Sequence, residues 1–454
     1  MYGFHQRIYE LIFGNLKKYS KNLSIRTKRS LLGVSFVIVI CAYILNCDIY
    51  NFSFRSRNMI YAVAFIILLI TLQNNENKLL SPKGKFIIGC LYVLGGGSVI
   101  ASIANGVTGY FFYGLVYLFL LPIGIIMFNH GNFNEIILSF SKCSVVFFFI
   151  IAVSSFLFKP IVEGQYASVF GDPNLLGLFC VETVISGMYL IKCKKWKKTT
   201  YGIIFFAVSF CYISGSRTSA LAIICIIIIE AIYWVKFKKI SFVKIVKVII
   251  GITITVYITM FILINITPGL VNLESGLRAG DKISVHEIFN YNIKFSFNET
   301  TDDIVDKNLK GIKDNDSFTA GRTDIWKETI HSLNAFGHNT ELVKGISYFN
   351  KPMYVHNGIL QIWYSMGIIP AIGFILIMGF TGISALKILC NFTSWTNKNI
   401  FIIEVIGATS IFVMFFSIYF AFMNPLIYMY HIILFDLANH CSVDDLSKER
   451  KSLV

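Results

Sequence analysis

Two arginines and a histidine stand out in a chain that is otherwise poor in charge. Arg217 closes Ser214-Gly215-Ser216-Arg217, Arg322 sits in Gly321-Arg322-Thr323-Asp324-Ile325-Trp326, and His356 lies in Tyr354-Val355-His356-Asn357-Gly358-Ile359-Leu360-Gln361. A guanidinium presents a planar fork of donors that matches phosphate oxygens in a bidentate manner. A histidine near neutral pH serves as acid, base or strong hydrogen-bond donor. Together they can hold a diphosphate leaving group while an attacking hydroxyl is positioned and deprotonated. That chemistry fits transfer of a glycan from a polyprenyl diphosphate carrier, and the arginines supply the positive charge, so neither a metal nor another cofactor is expected. Each residue also has a plainer reading: Arg217 as an arginine snorkelling to lipid phosphates, Arg322 as a surface charge, His356 as a structural residue at a helix start.

The elements that must position these residues lie in a membrane. The 454-residue chain is 55% hydrophobic and 14% charged, with a mean hydropathy of +0.67, too apolar for a soluble fold. In a bilayer every backbone polar group needs an internal partner, so spans are helices or closed barrels, and unalternated runs such as Leu31 to Cys47 select helices. The reading is therefore an all-α integral membrane protein of about 12 transmembrane helices. Spans are expected near 31–49, 58–73, 86–104, 110–128, 144–158, 174–191, 200–214, 218–235, 247–267, 367–389, 400–420 and 426–438.

The net charge of +15 arises from short basic clusters beside apolar runs. Topology and anionic lipid headgroups account for them, and nucleic acid is excluded as a partner. Seven basic residues from Arg7 to Arg29 precede the first span, which places the N-terminus in the cytoplasm. The clusters Lys192 to Lys198 and Lys236 to Lys244, and the final Lys448, Arg450 and Lys451, then all fall on the inner side; Arg55 and Arg57 are the exceptions. Both termini are expected to be cytoplasmic, in a bacterial inner membrane. Five of the ten cysteines, Cys41, Cys90, Cys180, Cys211 and Cys225, lie in apolar runs, which argues against disulfides.

On this count the chain divides into spans over 1–267, an extracytoplasmic cap loop over 268–355, and further spans over 356–454. The loop holds twelve of the 25 acidic residues against ten Lys and Arg, as a segment bathed in water should. A structureless loop of that length is unusual, so it should fold as a functional cap. Within it, Ile325, Trp326, Thr329, Ile330 and Leu333 recur at helical spacing, predicting an amphipathic helix over 323–334 that lies on the bundle. Asp302-Asp303 reads as a solvated loop face.

At these motifs the chain resembles the O-antigen ligase and polymerase superfamily of membrane glycosyltransferases. The matching pieces are Phe170-Gly171-Asp172-Pro173-Asn174-Leu175-Leu176-Gly177, Ser214 to Ala220, Gly321-Arg322 with Ile325-Trp326, and His356-Asn357 with Leu360-Gln361 and Gly367-Ile368-Ile369, covering roughly 165 to 380. The resemblance implies a GT-C-like fold and metal-independent inverting transfer from an undecaprenyl-diphosphate-linked oligosaccharide, with Arg217, Arg322 and His356 as catalytic residues. Asp172, Asn174, Arg278, His338 and Asn357 are the expected substrate-binding positions, with helix capping as the alternative for Asp172 and Asn174. A polymerase joining carrier-linked repeat units is favoured over a ligase that delivers polymer to lipid A core. Membrane lipids, a chain-length regulator and a flippase are the further expected partners. The rival of another class is a 12-helix transporter or glycan flippase, with Glu182, Glu230, Glu404 and Asp436 as an ion path. No basic residue paired with them is evident within the spans, and the dominant loop is not central as in such carriers.

Overall fold

The computed structural model describes residues 23–45, 54–71, 81–128, 133–159, 166–170, 172–238, 242–268, 322–343, 354–391, 395–416 and 424–439, with Arg7, Glu10, Leu11 and Leu270. Among the described residues every expected span falls on a helix, while 46–49, 72–73 and 417–420 lie outside them. In chain order these are α1 (Ile25–Leu45), α2 (Phe54–Thr71), α3 (Pro82–Asn105), α4 (Thr108–Met127), α5 (Phe133–Phe158), α6 (Pro173–Lys192), α7 (Lys197–Ser214), α8 (Arg217–Lys238) and α9 (Phe242–Phe261). Then come the predicted cap helix α10 (Arg322–Ser332), a half-helix α11 (Gly358–Met366), α12 (Ile368–Cys390), α13 (Asn397–Phe415) and α14 (Pro425–Asn439). Among the described residues nine helices are long and apolar enough to cross a bilayer. Of the remaining expected spans, α14 has only 15 residues, about 22 Å of rise, and α7 opens on the polar run Lys197-Lys198-Thr199-Thr200.

One boundary differs clearly from expectation. α5 begins at Phe133 rather than near 144, because its polar first turns find partners. Glu135 accepts from Arg29 at 2.9 Å, and Lys142, expected in a loop, lies inside the helix with its ammonium 5.9 Å from the Trp196 ring. An apolar window excludes such residues; paired charges near a helix end admit them.

The chain forms two compact units: Met1–Tyr43, Ser53–Phe140 and Gly321–Val454 make the first, Ile44–Phe52 and Ser141–Ala320 the second. In the first unit α3 is the hub, packed most extensively on α12 and α4, with α14 beside it and α13 against α12 and α14. Small residues permit this approach, as lipid-embedded helices require. A Cβ on Gly97 would stand 2.6 Å from the Pro370 ring, and one on Gly373 2.7 Å from the Leu94 nitrogen. In α4, Pro122 cannot donate to the preceding turn, and the helix widens to a π turn over Val116–Leu120 just before it. Rings of Phe36, Phe65, Phe140, Phe401, Tyr428 and Phe435 meet edge to face in the core.

In the second unit α6 packs chiefly on α7, α8 rests on α6 and α9 on α7. α6 is the buried centre of this unit, whereas α8 and α9 expose rows of large apolar residues, including Ile224, Ile228, Ile250, Ile254 and Phe261. Such faces are stable against hydrocarbon and not against water.

The hub packing is testable. Gly373→Val should overpack the α3–α12 contact and destabilise the protein by about 1–3 kcal/mol, seen as a lower unfolding temperature in detergent. Gly379→Val, where an added Cβ meets nothing within 4 Å, should leave that temperature unchanged. Equal behaviour of the two variants would refute the close contact.

Candidate active site

His356 is held by its neighbours rather than by its own helix. Its backbone adopts φ +54°, the left-handed region that side chains other than glycine enter at a cost. On the N-terminal side, Val355 is fully buried, and both of its backbone groups are fixed by side chains. The Val355 N–H donates to Gln361 Oε1 at 2.9 Å, and the Val355 carbonyl accepts from Trp326 Nε1 at 2.9 Å. On the C-terminal side, Asn357 caps α11: its Oδ1 accepts from the amides of Ile359 and Leu360 at 3.1 and 3.0 Å, and its Nδ2 donates to the Met414 carbonyl at the end of α13. The His356 ring stacks on Phe416 with centroids 6.3 Å apart. The backbone on both sides of this strained residue is thus fixed by side chains from helices.

The same bonds tie Arg322 to this histidine. Arg322 opens α10, and Trp326 lies one turn further on, so the helix that carries the guanidinium is anchored beside His356. Ile325, Val343, Val355 and Tyr364 form a buried cluster, with Trp326, Leu333 and Leu360 packed on it. Ile330, expected on the apolar face, is 55% exposed. Five residues beyond Ile325 it has turned well away from the stripe formed by Ile325, Trp326, Thr329 and Leu333.

The segment after α10 clamps onto the break between α11 and α12. Gly337 and Gly367 have φ +77° and +90°, and an added Cβ would run into the Ser365 backbone at the first and the Ala335 backbone at the second. Between them the His338 N–H donates to the Ser365 carbonyl at 3.1 Å and the Ile368 N–H to the Ala335 carbonyl at 3.2 Å. His338 is engaged through both ring nitrogens: Nδ1 lies 2.8 Å from the Tyr364 carbonyl and Nε2 3.3 Å from Asn334 Nδ2. The first contact requires a proton on Nδ1. The ring also stacks on Tyr364 at 4.1 Å. Asn105 and Tyr110, at the adjoining ends of α3 and α4, reach the Phe336 and His338 carbonyls at 2.8 and 3.2 Å. The described part of the expected cap is thus fastened to the hub helices, and His338 serves as one of the fasteners.

In the second unit the two other motifs meet. Asp172 caps α6 by accepting from the Asn174 amide at 2.6 Å, and Asn174 Oδ1 accepts from the Ser216 hydroxyl at 3.0 Å. Asp172 thus caps α6, whereas the Asn174 side chain bridges to the start of α8. Ser214 to Arg217 forms the expected hairpin, with Gly215 at φ +65°. A side chain at Gly177 would collide with Ser219, so α6 and α8 start in contact. Arg217, the first residue of α8, is exposed and makes no hydrogen bond or ion pair with any described residue. Nearby, Tyr166 donates to the Lys159 carbonyl at 2.8 Å, and burial pushes its phenol up to about 12. It acts there as a neutral donor.

Arg278 lies outside the described residues. The intramembrane carboxylates differ from expectation: Glu230 is paired with Lys192 and also accepts from Trp234 Nε1 at 2.9 Å, while Asp436 has Lys398 at 3.5 Å. Basic partners hidden in span ends neutralise two of the four acids named for an ion path. Glu182 accepts from the Ser144 hydroxyl at 2.6 Å. Sequence reasoning missed Gln361 and the indole of Trp326 as site-building groups. Their signal was a buried polar atom at a helical position one turn from the candidate residue, which reads as amphipathicity until the backbone partner is known.

The fold and these helix-end motifs define a multi-pass α-helical membrane protein whose polar chemistry is concentrated in loops and helix starts. Residues 202–378 match the family model described as O-antigen ligase. That segment contains Arg217, Arg322 and His356, and the match bears out the resemblance to the O-antigen ligase and polymerase superfamily drawn from the motifs. The curated proteins contain no match to the chain.

Trp326→Phe removes one donor from a buried carbonyl and should destabilise the cap contact by about 1 kcal/mol. Hydrogen exchange of the 354–357 amides should then be faster, while α6 and α7 keep their protection. Unchanged exchange at 354–357 would show that the indole bond does not hold the segment.

Proposed function

We propose that the protein is an extracytoplasmic surface-polysaccharide polymerase of the inner membrane. It would transfer a glycan from undecaprenyl diphosphate onto a carrier-linked repeat unit. In the step proposed, His356 takes the proton of the acceptor hydroxyl as its oxygen attacks the anomeric carbon from the face opposite the leaving group. The bond from that carbon to the diphosphate oxygen breaks, and undecaprenyl diphosphate departs carrying the bonding pair. Attack from the opposite face inverts the anomeric centre. Arg322 and Arg217 bind the diphosphate, whose charge grows as the bond breaks, so added metal is not required. On the expected twelve crossings and the placement of the basic clusters, this reading puts both arginines and His356 on the extracytoplasmic side and the two termini in the cytoplasm.

The observation that carries this reading is the anchoring of the Arg322 helix beside His356 through Trp326 and Val355, within a segment that matches the O-antigen ligase family. An exposed Arg217 without a partner among the described residues supports it, since an outward arginine opposes the positive-inside bias and calls for an anion. The apolar faces of the bundle suit a carrier whose tail stays in lipid. A chain-length regulator and a flippase are the partners that such a reaction implies.

The ligase reading has the family description in its favour. Lipid A core is a strongly anionic acceptor, which a basic cap would suit. The 268–355 segment instead carries twelve acids against ten bases, and this balance favours a carrier-linked acceptor.

His356→Ala and Arg322→Ala should each reduce polymer by a factor of 10² or more while the protein remains inserted and lipid-linked repeat units accumulate. Long-chain polysaccharide persisting in both variants would sink the assignment. A deletion strain bearing single repeats on its acceptor identifies a missing polymerase; long chains left on the carrier identify a missing ligase.

A further inference from the structure

Gln361 carries none of the chemistry of transfer, yet its amide joins three parts of the first unit. The side chain is fully buried one turn into α11. Its Oε1 accepts from the Val355 N–H at 2.9 Å, and its Nε2 donates to the Glu341 carbonyl at 2.7 Å and to Ser365 Oγ at 3.0 Å. One planar amide therefore links the residue before His356, the segment that follows the cap helix, and the last turn of α11. Its two ends are not interchangeable: the oxygen must face the Val355 amide and the nitrogen the Glu341 carbonyl.

We infer that Gln361 is the positioning residue for His356. The histidine sits at φ +54° and cannot rely on regular helix or strand bonding to fix its backbone. Its placement follows from where Val355 and Asn357 are pinned. Asn357 fixes the helix side, Trp326 fixes the Val355 carbonyl, and Gln361 fixes the Val355 N–H. Of these, only Gln361 grips the cap segment at Glu341 at the same time, so a shift of that segment is transmitted to the residue before His356. A general base is effective only when held within about half an ångström of its productive place, and a 1 Å error costs on the order of a hundredfold in rate.

The inference rests on reading His356 as the base, and the test separates the two. The full-length protein in nanodiscs is assayed with lipid-linked repeat units extracted from a strain lacking it, and turnover is counted per monodisperse molecule. Gln361→Met keeps the shape and removes both bonding ends; kcat should fall about ten- to a hundredfold with the donor KM within about threefold of the parent. Gln361→Glu keeps the acceptor for the Val355 amide and, held protonated by burial, offers its O–H to the Glu341 carbonyl, so it should recover most of that loss, a rescue that a merely space-filling role does not produce. Unchanged kcat in Gln361→Met overturns the positioning role. If the Met variant does not fold, the Glu variant decides alone: turnover near the parent supports the role, and a loss as deep as that of His356→Ala overturns it. Should His356→Ala itself turn over normally, it is the reading of His356 that fails.

Discussion

The proposed roles of His356 and Arg322 depend on the two hydrogen bonds to Val355. A loop residue beside a membrane has no regular ladder to hold its N–H and C=O groups, and leaving either unmade in a buried place costs about 1–3 kcal/mol. Here Gln361 takes the N–H and the Trp326 indole takes the carbonyl. Both side chains come from helices, so a loop position acquires the rigidity of the helical frame. The left-handed backbone at His356 is sustained by that frame, and Arg322 rides on the same helix as the indole.

The frame in turn depends on the membrane constraint that backbone polarity be satisfied within helices. Close contacts of α3 with α4 and α12 bring helix ends together, and the residues that project from those ends, Asn105 and Tyr110, catch the carbonyls of 336 and 338. Gly337 and Gly367 let two backbones approach where any side chain would force them apart. The second unit repeats the logic on a smaller scale, with Asp172, Asn174 and Ser216 joining the starts of α6 and α8 beside an exposed Arg217.

Much of this was legible in the sequence because hydrocarbon allows so few solutions. Among the described residues every apolar run expected to span falls on a helix, and the hairpin at Ser214 to Arg217 and the helix at 322–332 stand where turn residues and apolar spacing put them. The apolar window failed at α5, where Glu135 paired with Arg29 lengthens the helix, and it gave no sign that Lys192 pairs with Glu230. The candidate residues themselves were found from charge placement. Their supports were not, because Gln361 and the Trp326 indole are defined by backbone partners, in Val355 and Glu341, that no periodicity reveals. His338 was read as a substrate contact from its place beside a glycine turn; its ring contacts to Tyr364 and Asn334 were not foreseen.

The central claim is that a frame-held histidine activates an acceptor hydroxyl against a carrier-linked glycan whose diphosphate is held by arginines. The most direct measurement is the anomeric configuration of the newly made linkage, by nuclear magnetic resonance. The purified protein would be supplied with carrier-linked repeat units in the presence of a strong chelator. The account predicts transfer under chelation, with the new linkage inverted relative to the donor. Retained configuration, or no transfer until a metal is restored, would contradict it.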